Sequence, residues 1–69
     1  MLPNKEFIHR NSMAIYALLA KLKKCTFAEI QKVCKLDNVG TCLSLIELIR
    51  TERIEQVYTP EGVWYVLRK

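Results

Sequence analysis

Ile15, Leu18, Leu19 and Leu22 recur at the i, i+3, i+4, i+7 spacing of a helix that buries one face, with Ser12 as its cap and Lys21 and Lys24 on the opposite side. Phe7 and Ile8 either extend this helix backwards, with Asn4 as an earlier cap, or form an arm folded onto the domain. Tyr16 falls off the apolar stripe. Thr26 and Glu29 then spell a capping box for a short second helix, with Phe27, Ile30, Val33 and Cys34 turned inward and Gln31, Lys32 and Lys35 outward. Asp37 and Asn38 supply turn and cap chemistry for a third helix that follows closely, and Leu36 packs under the turn.

The third helix is the least ordinary part of the pattern. Leu45, Leu48 and Ile49 share the side a three-helix core needs, whereas Val39, Leu43 and Ile46 form an adjoining apolar strip. Gly40, Ser44, Glu47 and Thr51 are left as the polar face. Gly40 weakens the first turn unless it admits a close backbone approach. Residues 54–58 and 63–67 are β-branched and aromatic runs separated by Thr59-Pro60-Glu61-Gly62, a hairpin signal. Trp64 and Tyr65 are adjacent and point to opposite faces, and the expectation is that Trp64 seals the core.

The order predicts an α+β, mainly α fold: a winged helix-turn-helix, three helices followed by a two-stranded β-hairpin wing. The whole of residues 1–69 forms one domain, with residues 1–11 as arm or helix extension.

Composition changes this picture in three ways. A 69-residue chain that is 51% hydrophobic has a core too thin to hide all its apolar side chains, so a dimer or a partner protein is expected. No apolar run is long enough to span a membrane, and the N-terminal residues carry Lys5, Glu6 and Arg10 with no signal-peptide core, which predicts a cytoplasmic protein. The net charge of +4 is concentrated early: residues 1–35 hold seven Lys/Arg against two acids, residues 36–69 four against five.

Cys25, Cys34 and Cys42 match neither a disulfide framework nor a zinc pair, so buried or half-buried thiols are expected and no metal or other cofactor. A redox-sensing role for Cys25 would rest on Lys23 and Lys24 lowering its pKa. Glu47, Glu52 and Glu55 offer carboxylate pairs but no histidine or activated nucleophile accompanies them, so neither catalysis nor a small-molecule substrate is expected.

Residues 27–67 resemble the small winged-helix coregulators of bacterial pilus (fimbrial) operons. The matching features are Ala28-Glu29-Ile30, the apolar third helix over residues 43–48, Ile54 at the start of the wing, and Val63-Trp64-Tyr65-Val66-Leu67 at its end. The resemblance implies a weak DNA binder that acts beside a larger regulator and needs a protein face.

Two functions remain open at this stage. In the first, a small transcriptional regulator, the third helix enters the major groove of double-stranded DNA with Asn38, Thr41 and Ser44 as hydrogen-bonding groups. Lys32, Lys35, Arg50 and Arg53, with Lys23, Lys24, Arg68 and Lys69, contact phosphates. In the second, a protein-interaction module, Val39, Leu43 and Ile46 dock a partner or a second copy.

Overall fold

The computed structural model describes residues 5–68. Helix α1 spans Lys5–Leu22, strand β1 Lys24–Cys25, helix α2 Phe27–Cys34, helix α3 Asn38–Arg50, and strands β2 and β3 Ile54–Thr59 and Gly62–Leu67. This is the winged-helix layout: three helices, the last two joined by a tight turn, then an antiparallel hairpin.

Helix α1 begins well before Ser12, so Phe7 and Ile8 belong to a helix extension and not to an arm. The alternative cap, Asn4, lies outside the described residues, as does Lys69. Ser12 is buried inside the helix, donating its hydroxyl to the carbonyl of Ile8 at 2.7 Å. Thr26 caps α2 as expected, with the reciprocal Thr26–Glu29 bonds in place. Asp37 caps α3 by accepting from the Gly40 N–H at 2.7 Å.

Three helix ends carry non-glycine residues in the left-handed region: Lys23 after α1, Lys35 after α2 and Glu52 after α3. Around the latter two the chain reverses through long backbone bonds, Leu36 N–H to Gln31 O and Arg53 N–H to Leu48 O.

The hairpin runs from Ile54 opposite Leu67 to Thr59 opposite Gly62, so its loop is Pro60-Glu61 alone. Gly62 has φ +138°, which favours glycine there. The sequence pattern did not predict β1. It pairs with β3 through Lys24–Val66 and Cys25–Tyr65, giving a three-stranded sheet in the order β1-β3-β2.

The core lies where α1, α2 and α3 meet one face of this sheet: Ile15, Leu19, Cys25, Ile30, Leu45, Leu48, Ile54 and Tyr65. Leu18, Tyr16, Phe27, Cys34 and Leu36 pack around it half-buried. Three expected core members are solvent-facing: Leu22 at 48% exposure, Val33 at 56% and Ile49 at 38%. Each sits in the last turn or two of its helix, past the reach of the thin core. The tryptophan expectation is reversed. Tyr65 is the wing aromatic in the core, while Trp64 is half-buried on the other sheet face, its indole N–H donating to Thr59 Oγ1 and its ring under the Lys24 ammonium at 4.6 Å.

Among the described residues no helix is long and apolar enough to cross a membrane.

Candidate nucleic-acid and partner interface

The orientation of α3 decides which side chains are offered to a ligand. Its inward side is Gly40, Thr41, Ser44, Leu45 and Leu48, with Gly40 and Ser44 against α1, where Asn11 and Ser12 are also buried. Small side chains let the two helices approach. A Cβ on Gly40 would lie 2.7 Å from the capping carboxylate of Asp37 and 3.7 Å from Asn11 Nδ2.

The hydroxyls turn inward because the backbone can satisfy them. Thr41 Oγ1 donates to Asp37 O at 2.7 Å, the i−4 bond that lets a threonine enter a helix interior without an outside partner. Ser44 is the exception: its Oγ is buried with no hydrogen-bond partner among the described residues.

This corrects the base-reading set. Thr41 and Ser44 are both 0% exposed, so neither reaches a base edge. Gly40 and Ser44 are buried too, so the polar face expected of α3 shrinks to Glu47 and Thr51. Of the three hydrogen-bonding residues assigned to the groove only Asn38 is exposed, and its side-chain oxygen accepts from Gln31 Nε2 on α2.

The outward side of α3 is apolar. Val39 and Ile46 are 55% and 53% exposed, Ile49 and Cys42 join them at the surface, and Leu43 flanks them half-buried. The apolar strip is thus exposed at Val39 and Ile46, less open at Leu43, and continued by Cys42 and Ile49. Their spacing of three, four and three residues was in the sequence; only the rotation of the helix revealed it as a surface seam.

The exposed lysines assigned to phosphate contact fall into two groups, one beside the start of α3 and one at β1. Lys32 and Lys35 are exposed on and just after the last turn of α2, next to the Gln31–Asn38 contact. Lys23 and Lys24 are exposed where α1 meets β1, and Lys23 shares a shallow groove with Arg68 and Glu55. Among the described residues these four lysines make no ion pair. The arginines differ. Arg50 is held by Glu47 through two short bonds, 2.7 and 2.9 Å from its Nη2, so its charge is already met. Arg53 is exposed and leans on the Met13 sulfur at 3.8 Å, and Arg68 stands 3.8 Å from Glu52.

The thiols separate by depth. Cys25 is fully buried and its pKa is pushed up, first by burial, then by Glu29 and Cys34. That overturns the idea that Lys23 and Lys24 activate it. Burial also raises Cys34, and Cys42 is exposed. No three His, Cys, Asp or Glu among the described residues are grouped to hold a metal ion.

No protein-family profile, curated protein or solved structure matches the chain.

Proposed function

We propose that the chain is a small DNA-binding transcriptional regulator or coregulator whose hold on double-stranded DNA comes from phosphate contacts, and which depends on a second subunit or partner protein for selectivity. The observation that carries this is the division of surfaces around the helix-turn-helix. Exposed lysines without ion-pair partners, Lys32 and Lys35 beside the start of α3 and Lys23 and Lys24 at β1, are suited to phosphate oxygens. Of the hydrogen-bonding residues on α3 assigned to the groove only Asn38 is exposed, so direct base readout is slight. Such a surface gives affinity with weak discrimination. The resemblance to pilus-operon coregulators, which act on DNA beside a larger regulator, agrees with it.

Fluorescence anisotropy of a labelled duplex, titrated with protein between about 50 and about 200 mM salt, tests this. Affinity should fall steeply with salt, and Lys32→Gln with Lys35→Gln should weaken binding and flatten the salt slope by roughly two. Affinity that ignores salt, or a double variant that binds like the native chain, would sink the proposal.

The exposed apolar seam of α3 favours a second reading, an interaction module that docks protein and does not bind DNA. Absence of any duplex binding at about 50 mM salt would select it.

A further inference from the structure

We propose that the solvent face of α3 is where a second copy of this chain docks, with Val39, Cys42, Ile46 and Ile49 of the two copies interdigitating about a two-fold axis. This deepens the reading above, because it rests on the dependence on a partner and names that partner.

Three observations support it. The four residues follow one another at intervals of three, four and three, the a/d spacing by which one helix packs knobs into the holes of another. They stand nearly opposite the side of α3 that faces α1, so the seam is turned outward. Charge favours a copy over a charged ligand. The chain carries +4, yet the seam holds no charged side chain, and Arg50 at its edge is neutralised by Glu47. Two copies can therefore meet here without the repulsion they would feel at the lysine-bearing surfaces, and a nucleic acid or acidic peptide finds no cation in the seam. A neutral apolar stripe is also self-complementary, as a two-fold interface requires.

The area sets the strength. The seam offers on the order of 300 Å² of apolar surface per copy, no more than the largest patch of an ordinary monomer. Leu43, Asn38 and the Glu47–Arg50 pair add a rim, but a stable interface takes about 800 Å² per partner. The dimer is accordingly a weak one, populated only as concentration rises.

Sedimentation velocity over a concentration series tests this on the native chain and on Ile46→Glu, with circular dichroism and thermal melting to check folding. Ile46 is 53% exposed, so the glutamate need not enter the core. The native chain should dimerise with rising concentration, and Ile46→Glu should weaken the dimer roughly tenfold or more. Independently of that variant, a short bis-maleimide should cross-link native dimers through Cys42, and Cys42→Ser should abolish the product. A native chain that stays monomeric throughout, or a dimer that survives Ile46→Glu and cross-links without Cys42, overturns the proposal. The two proposals fail separately. A chain that dimerises through the seam yet ignores duplex DNA sustains this inference and overturns the phosphate-binding function. A monomer that binds DNA with a steep salt slope does the reverse.

Discussion

Ser44 and Thr41 lie one turn apart on the buried side of α3, and their hydroxyls have different fates. Thr41 Oγ1 is bonded to Asp37 O, whereas Ser44 Oγ is buried without a partner among the described residues. An unsatisfied buried hydroxyl costs about 1–3 kcal/mol, while a satisfied one contributes about 0.5–1.5 kcal/mol. Ser44→Ala should thus stabilise the protein by about 1 kcal/mol, and Thr41→Val should destabilise it by a similar amount. Urea denaturation of the two variants checks this. A Ser44→Ala protein less stable than the native one would show that the hydroxyl has a partner after all. Duplex affinity should be unchanged in Ser44→Ala, since a residue at 0% exposure touches no ligand. Sequence alone could not separate the two: both are short hydroxyl residues on a helix, and their bonding depends on which side faces α1.

At the scale of elements, local chemistry carried most of the fold. The capping box at Thr26, the cap at Asp37 and the turn around Pro60 all act over three or four residues, and all three appear where the pattern put them. Strand β1 escaped because two residues have no periodicity to read; only pairing with β3 makes Lys24 and Cys25 a strand. The helix ends carry a further consequence. Glu52 adopts φ 59° in the reversal after α3, with its N–H bonded to Ile49 O. The left-handed region costs a side-chain-bearing residue roughly 1–2 kcal/mol, and glycine is free of that penalty. Glu52→Gly should therefore raise stability by about 1 kcal/mol, which for a domain this small is about 4–8 °C in melting temperature. Its contact with Arg68, long at 3.8 Å and exposed, contributes little to lose. A lower melting temperature in the variant would refute the strain argument.

For the whole molecule, Cys25 is the best reporter, because it sits where β1, the helices and the wing all meet. Burial raises its folded pKa above the ordinary thiol value of 9.0, with Glu29 and Cys34 adding to the shift. The folded state therefore holds this proton more tightly than the unfolded state does. Its contribution to stability is fully present below pH 9.0 and is lost as pH climbs from there through the raised folded value. Denaturation midpoints should accordingly fall above pH 9.0 in the native chain and fall less in Cys25→Ala, compared by their slopes because the alanine also lowers stability overall. Thiol alkylation at neutral pH gives a second view. Cys42 should react first, Cys34 more slowly, and Cys25 only at the rate of opening of the fold. Rapid modification of Cys25 in the folded protein would contradict its place in the core.

The sequence by itself determined the three helices, their order, the tight turn between the second and third, and the hairpin, because caps, turns and periodicity act within a few residues. Only the tertiary structure decided the rotation of α3. A helix that is apolar on most of its circumference has no single inward side in its sequence. The choice was made by α1, whose Asn11 lies beside Gly40 and whose Ser12 hydroxyl reaches the carbonyl of Ser44 at 3.4 Å. That packing turned the expected base-reading hydroxyls inward and left Val39, Cys42, Ile46 and Ile49 facing water.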